Sequence, residues 1–581
     1  MNLLDDIRLL WPHISERRRL QLLILLFLML LGAAAELISL GAVVPFIAVL
    51  SNPERAIETP VVETLLSTFG ISASEVVISV SISFASLVVI STLVRLVLLW
   101  VTNKVVFDIG FDLGVGVFTK TLCRPYAWHV SRNSSEVLGG LNKAQIVVQS
   151  YLLPLLNALV AFVLATGMIA MLVFVDPFVA MAGTGAFALC YFGMALAIRK
   201  KIASNGLVIA KADNRRIQEM QEGIGGIRDV ILDSSQSIYT NRFSRVDAEM
   251  RKAQATNIFL SSSPRLAIEG IGLIIIALFA LIASKSGGVN ELLPVLGALG
   301  LGAQKLMPLI QTIYAGWNAS VSNRPSLHDV IDLLDTPDED LKPIRVEFRH
   351  SIELLKMEYF YPSVTDKPAL SDINLKIEKG QVIGIVGKTG SGKSTLVDIL
   401  MGLIPASSGQ FLVDKIDLDS KQKLRGWSMG VAHVPQSIFL ADCSIAQNIA
   451  LGVESSLIDY KRLEQAAKAA EIHDYITSLK RGYETDVGER GVRLSGGQRQ
   501  RIGIARALYR QAQFLVLDEA TSALDDETEK RVISNIHRVY PDLTIVMVAH
   551  RLSTLKKCDF IVKLEQGTIL HVFDYEQLIQ A

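Results

Sequence analysis

The sequence predicts a two-part fold: an α-helical domain of six membrane spans, then an α/β domain built around a phosphate-binding loop. Three observations predict it. Of the 581 residues, 50% are hydrophobic and 20% charged, and the apolar excess lies before about residue 325. The apolar runs there are long enough to cross a bilayer, which takes about 20 residues. Further on, Gly387-Lys388-Thr389-Gly390-Ser391-Gly392-Lys393-Ser394-Thr395 matches the phosphate-loop pattern. It sits between an apolar strand (381–386) and a helix reaching about residue 403, the context such a loop requires. The expected boundaries are 1–330 for the membrane domain, 331–345 for a linker and 346–581 for the α/β domain.

In chain order, residues 3–14 have the pattern of an amphipathic helix lying on the membrane surface. Apolar runs follow at about 20–50, 76–101, 151–175, 177–198, 259–283 and 290–320. Basic residues set their orientation. Arg8, Arg17, Arg18 and Arg19 precede the first run. Lys104, Lys120, Arg124, Arg132 and Lys143 mark the 102–150 loop, and Arg199, Lys200, Lys201, Arg251 and Lys252 the 199–258 loop. The remaining loops carry only Arg55, Lys285 or no base. The N-terminus, both long loops and the α/β domain therefore belong on the cytoplasmic side of a cytoplasmic (inner) membrane. The first run is too long for a separable signal peptide.

Each long loop is expected to extend the helices into the cytoplasm and end in a short coupling helix. The candidates are residues 124–129 and 223–230. The segment 60–69 is apolar at 61, 62, 65, 66 and 69, one face of an external helix. Residues 334–343 are acidic and bracketed by prolines, as a linker would be. The four cysteines include no C-x-x-C pair, which supports neither a disulfide framework nor a zinc site. Six spans exclude a soluble DNA-handling ATPase, and no nucleic-acid partner is expected.

The α/β half carries the chemistry. Glycines let backbone N–H groups close on phosphates, the following helix N-terminus favours the anion, and Lys393 adds a full charge. Ser394 offers a hydroxyl oxygen to Mg²⁺. Residues 514–519 form an apolar strand ending in Asp518 and Glu519. Leu494-Ser495-Gly496-Gly497-Gln498 matches the ABC signature, and over residues 350–575 the sequence resembles the ABC ATPases. The resemblance implies that ATP and Mg²⁺ bind here. It places Ser495, Gly496 and Gly497 on the γ-phosphate held by an opposite subunit, with Gln498 completing the signature.

Asp518 would hold Mg²⁺ with Ser394 and Gln436, and Glu519 would polarise the attacking water as general base. Gln436 resembles the family's Q-loop residue, which links metal and water to the membrane domain. His550 resembles its switch histidine, Tyr361 the aromatic that stacks on adenine, Ser522–Asp525 the loop at the dimer interface, and Val487–Gly491 the loop that senses the membrane domain. The catalytic set is thus Lys393, Gln436, Glu519 and His550. No motif departs from the pattern, so a homodimer would hold two competent composite sites; a heterodimer is also compatible.

Over nearly its whole length the chain resembles exporter-type ABC half-transporters. Five ionisable residues fall inside the spans: Glu36, Arg95, Arg265, Glu269 and Lys305. Such residues are costly in a membrane and often functional. At about 1.5 Å per residue from the expected faces, the three cations fall in the cytoplasmic half. They can bind a phosphate or diphosphate head group or snorkel to the interface, and Arg265 and Glu269, spaced i,i+4, can neutralise each other.

The segments around Glu36, Pro264-Arg265, Glu269 and Lys305-Leu-Met-Pro308 resemble those of the bacterial lipid-linked oligosaccharide flippase family. That family directs cations at the positions of Arg95, Arg265 and Lys305 toward a lipid diphosphate. Lys305 stands where the family has Arg, which exchanges a bidentate contact for a point charge. The resemblance implies ATP-driven flipping of an amphipathic lipid or lipid-linked glycan. The alternatives are a general lipid or multidrug exporter and, from another class, an ATP-gated channel or regulatory subunit.

Overall fold

The computed structural model describes residues 3–43, 46, 49–50, 76–175, 177–286, 289–335, 342–361, 367–549 and 551–580. The chain forms two compact units, 1–124 with 129–338 and 125–128 with 339–581. The expected external helix at 60–69 and much of the linker lie outside the described residues.

Up to residue 335 the described chain is helical. Its helices are α1 (Leu3–Leu10), α2 (Glu16–Gly41), α3 (Val76–Leu122), α4 (Tyr126–Ser131), α5 (Ser134–Val147), α6 (Leu153–Val175), α7 (Pro177–Gly225), α8 (Ile227–Leu232), α9 (Gln236–Ser286) and α10 (Val289–Leu334). Helix α9 has 51 residues. At about 1.5 Å per residue that is more than twice a bilayer core, so the helix outruns any membrane. Among the described residues, three stretches are long and apolar enough to cross a membrane: Glu16–Ser39, Val77–Leu122 and Ser135–Ala170. The other three expected spans fall on α7, α9 and α10, whose side chains are described only in part.

Prolines interrupt these helices, and α10 repairs the interruptions. A proline has no N–H, so the carbonyl four residues earlier loses its partner. Inside α9, Pro264 frees Leu260, whose carbonyl accepts from the Tyr314 hydroxyl at 3.3 Å. The neighbouring Ser261 carbonyl accepts from Gln311 Nε2 at 2.8 Å. Near the start of α6, Pro154 frees Ser150, whose carbonyl accepts from Asn323 Nδ2 at 2.9 Å. The backbone between α5 and α6 widens there into a π-helical turn, Val148–Leu152.

A polar ladder joins three more turns. Asn205 donates to Asn257 at 2.8 Å, and Asn257 donates to Ser322 at 2.7 Å. Gly206 permits this approach, since a Cβ there would collide with the Ser322 carbonyl.

Helix α1 is not bound by apolar contacts alone. Asp6 is 3% exposed and accepts from Arg324 Nη2 at 2.8 Å and Nε at 2.9 Å, with His328 Nε2 at 3.1 Å. The expected amphipathic helix therefore docks a buried carboxylate on the last long helix. The two short helices α4 and α8 begin later than the sequence suggested. Helix α8 starts at Ile227 because Gly225 ends α7 and Gly226 turns the chain. Residues 125–128 belong to the second unit, where Ala127 packs against the α/β core.

The second unit contains β1 (Ser351–Tyr359), β2 (Leu370–Glu378), β3 (Val382–Gly387), β4 (Ser408–Val413), β5 (Ile416–Asp417), β6 (Val431–Val434), β7 (Phe514–Asp518), β8 (Thr544–Val548), β9 (Phe560–Glu565) and β10 (Thr568–Phe573). One sheet has the order β2-β1-β4-β5, the other β10-β9-β3-β8-β7-β6. In the second sheet β9, β3, β8, β7 and β6 are parallel, with β10 antiparallel at the edge. Strand β8 is buried at every position, which is why it reads as an unbroken apolar run rather than an alternation. Trp427 fills the core between the sheets, stacked edge-on to Phe348 and Phe411, and donates its indole N–H to Leu400 O at 2.7 Å.

Candidate functional site

The parallel sheet positions the site. Ligands of such sheets bind beyond the carboxyl ends of the strands. The phosphate loop follows β3, Gln436 follows β6, and Asp518 and Glu519 end β7. Strands β3, β8, β7 and β6 are successive neighbours, so these groups come together at one edge. They line a cavity of about 660 Å³ with Tyr361, Thr389, Gly390, Gly392, Lys393, Ser394 and Thr395. His550, two residues past β8, lies outside the described residues.

The loop is shaped for phosphate. Gly392 has φ +100°, and a Cβ there would lie 2.8 Å from Leu370 Cδ2. A Cβ at Gly387 would collide with Leu564 O and Ser391 Oγ. Lys393 opens the next helix, α11 (Lys393–Leu400), and its ammonium donates to the Gly387 and Lys388 carbonyls at 2.7 and 3.0 Å. Ser391 Oγ is buried with no hydrogen-bond partner among the described residues. A loop with an orphaned donor, a helix N-terminus and a cation fits a polyphosphate.

For Mg²⁺, the Ser394 hydroxyl, Asp518 and Gln436 face the same cavity, an all-oxygen donor set suited to that ion. Tyr361 makes a hydrogen bond to Thr395 Oγ1 at 2.9 Å and packs edge-on against Tyr359, and the residue is 41% exposed.

The acidic end of β7 is held in an unusual conformation. Glu519 has φ +48°, a left-handed backbone that costs a non-glycine residue about 1 kcal/mol or more. Its N–H donates to Val548 O at 3.0 Å, which fixes the turn against β8. Gln436 Nε2 donates to Glu519 Oε2 at 2.6 Å, joining two motifs 83 residues apart. Asp398, one turn into α11, was not expected from sequence. Burial, and then the nearby charge of Asp518, push its carboxyl up to about 6.

The signature lies elsewhere. Ser495 caps helix α12 (Gly496–Tyr509) in a capping box, accepting from Gln498 N at 3.2 Å while Gln498 Oε1 accepts from Ser495 N at 2.8 Å. Ser495, Gly496, Gly497 and Gln498 do not line the phosphate-loop cavity of their own chain. Sequence reading also missed Gln500, which is 5% exposed. It donates to Ser522 Oγ at 3.1 Å and accepts from Ala523 N at 2.9 Å, tying the signature helix to the 522–525 loop. Asp525 then caps helix α13 (Asp526–Val539), accepting from Thr528 N at 2.9 Å. The only sequence signal for Gln500 was its place two residues past the signature.

In the membrane unit, two of the three expected cations meet. Arg95 Nη1 lies 2.9 Å and Lys305 Nζ 3.8 Å from the Glu36 carboxylate. Arg265 is apart from this cluster. Neither it nor Glu269 makes a hydrogen bond or ion pair with any described residue, so the two do not neutralise each other. The Asn257–Ser322 and Ser261–Gln311 contacts nonetheless set α9 and α10 antiparallel with Arg265 near the level of Lys305. Arg18 is bridged to Asp108 and Asp112 of α3 at 2.8 and 3.0 Å, which marks the basic end of α2. Glu36 is eighteen residues further along, about 27 Å, so the cluster lies toward the far end of the helix.

Fold and site define a P-loop ATPase joined to a helical membrane domain. Residues 370–522 match the ABC transporter family. The chain is 32% identical over 369 residues to an ATP-dependent lipid A-core flippase of Bordetella avium (strain 197N), covering 62% of this chain and 61% of that protein. It is 33% identical over 389 residues to one from Wigglesworthia glossinidia brevipalpis, covering 66% and 65%. It therefore spans less than two thirds of the length of these relatives. A bacterial Atm1-family ABC exporter with ATP bound has the same fold, with a TM-score of 0.77 at 22% identity over 97% of this chain and 96% of that one. The chain has the exporter-type ABC fold, a helical membrane domain followed by an ABC ATPase domain.

Proposed function

We propose that the chain hydrolyses ATP to flip an anionic amphipathic lipid from the inner to the outer leaflet of the cytoplasmic membrane, working as a homodimer. The observation that carries the ATPase reading is the convergence of Lys393, Gln436, Asp518 and Glu519 on one cavity at the ends of adjacent parallel strands. Glu519, bonded to Gln436, is the general base that takes the proton of the attacking water. Lys393 and the loop N–H groups hold the phosphates in line, and Ser394, Asp518 and Gln436 would hold Mg²⁺, which would supply charge neutralisation on the phosphate oxygens. His550 is proposed to contact the γ-phosphate, and Tyr361 to stack on adenine. The signature Ser495–Gln498, away from this cavity, completes the site of a second copy. Residues 1–330, 331–345 and 346–581 are the proposed membrane, linker and ATPase divisions, with six spans.

The cargo reading rests on Arg95, Lys305 and Arg265 at one level of the membrane unit. A lipid-linked diphosphate oligosaccharide fits those cations, and the relatives named for lipid A-core flipping support a lipid cargo. A general lipid exporter is the second reading, favoured by the same relatives.

The test is ATP-dependent translocation of a fluorescent polyprenyl-diphosphate oligosaccharide in liposomes, with Glu519→Gln as the inactive control. Transport lost in that control and in Arg265→Ala supports the reading. No transport, beside ATPase activity stimulated by unrelated lipids, replaces it with the general exporter.

A further inference from the structure

Glu36 is the carboxylate to which both Arg95 and Lys305 turn, and the three come from α2, α3 and α10. The exposures are unequal. The Glu36 side chain is 15% exposed, whereas those of Arg95 and Lys305 are 54% and 52% exposed. The anion is the sheltered partner, and each cation keeps an open side. The distances are unequal too. Arg95 makes a hydrogen bond to Oε2, while Lys305 stands beyond hydrogen-bond reach of Oε1. One carboxylate also cannot balance two cations. Among the described residues the cluster retains one positive charge, and Arg265, level with it, adds another. A purely structural staple would match charges singly and bury both ends.

We propose that Glu36 is a resident counter-anion that an acidic lipid head group displaces, and that it thereby sets how much negative charge a cargo must carry. This rests on the anionic-lipid reading above. Two cations at this depth are costly without an anion beside them, and Glu36 lowers that cost when no cargo is bound. A monoanionic head group that displaces it exchanges one single charge for another, with no electrostatic gain. A diphosphate brings enough charge and enough oxygens to satisfy Arg95 and Lys305 together and to draw on Arg265. Glu36 thus discriminates by competition, an element of rejection as much as of attraction.

The experiment uses the full-length protein in nanodiscs of zwitterionic lipid. Binding is measured for three fluorescent probes of equal chain length: a polyprenyl diphosphate glycoside (the diphosphate, a dianion), a polyprenyl monophosphate glycoside (the monophosphate, a phosphodiester and so a monoanion) and the neutral polyprenol. The wild type is expected to prefer the diphosphate over the monophosphate by about tenfold or more. In Glu36→Gln the monophosphate should bind about tenfold more tightly while the diphosphate changes less, so the preference collapses. Glu36→Asp keeps the charge but shortens its reach by one methylene, and should fall between.

Thermal unfolding and size-exclusion elution report that each variant is folded. An unchanged preference, or an equal loss for both lipids, in a folded Gln variant makes Glu36 a structural staple and overturns its proposed role. If the Gln variant is not recovered, Glu36→Ala decides: a collapsed preference supports the role, and a wild-type preference overturns it. A wild type that binds no anionic lipid above the neutral polyprenol overturns the anionic-cargo reading itself, whatever the variants do.

Discussion

The residue that concentrates most of the chemistry is Glu519. Its left-handed backbone, its N–H bond to Val548 and its contact with Gln436 hold one carboxylate at the mouth of the phosphate loop. Replacing it by Gln keeps the shape and removes the base, so ATP turnover should fall about 10²- to 10⁴-fold while nucleotide binding persists. Turnover by phosphate release, beside binding of a fluorescent ATP analogue, checks this; equal loss of both would make Glu519 structural. Asp398 gives a second test. Its folded pKa of about 6 lies above the ordinary carboxylate value, so the folded domain holds a proton that the unfolded chain releases. Stability therefore falls as pH rises from about 4 to about 6 and stays lowered above that window. Asp398→Asn should raise the unfolding temperature of the ATPase domain near pH 7.5, in Mg²⁺-free buffer, and leave it unchanged near pH 4.5. An equal shift at both pH values would rule the charge out as cause. The motif residues could be read from the sequence because phosphate chemistry dictates their type and spacing. Asp398, Gln500 and the role of Glu36 could not, because each acts through a partner far away in the chain.

At the scale of elements, the helices of the membrane unit are continuous despite their prolines, and α10 supplies the reason. Gln311 is the busiest repair: its Nε2 donates to Ser261 O, and its Oε1 accepts from the Tyr191 hydroxyl at 3.1 Å. One side chain thus joins α7, α9 and α10. Gln311→Leu preserves the volume but leaves a carbonyl and a hydroxyl without this partner, at a cost of about 1–2 kcal/mol. Thermal unfolding in detergent should show the loss, and Gln311→Glu, which retains the acceptor for Tyr191, should lose less. An unfolding temperature equal to wild type in Gln311→Leu would show that other groups or water take over. The apolar runs and the basic loops announced helices crossing a membrane, since both follow from bilayer thickness and charge placement. The cross-helix repairs were not legible, because a lone Gln or Asn carries no sign of which carbonyl it serves. The start of α8 was misplaced for a related reason: Gly226 can end a helix or sit within a loop, and only the observed turn chooses.

At the scale of the whole molecule, the separation of the signature from the phosphate loop has one consequence. The cavity of this chain holds the loop, the Gln436–Glu519 pair and Asp518, but not Ser495–Gln498. A helix N-terminus capped by Ser495 and rich in glycine favours an anion, and it does not line the phosphate-loop cavity of its own chain. Two copies related by a two-fold axis would supply each other's missing half, since an isologous arrangement repeats the same exchange on both sides. Activity should then depend on pairs. Mixing wild type with Glu519→Gln before reconstitution distributes inactive subunits at random. If both composite sites must fire, an equal mixture should retain about a quarter of wild-type turnover; if each site works alone, it should retain about half. Dilution in detergent gives an independent reading, because turnover per chain should fall as dimers dissociate. Turnover that stays constant on dilution, in a mixture that follows the fraction of wild type linearly, would mean that one chain completes its own site. The signature would then have to reach the loop by a movement within the ATPase domain, against the capping box and the Gln500 tie that hold α12 to the 522–525 loop.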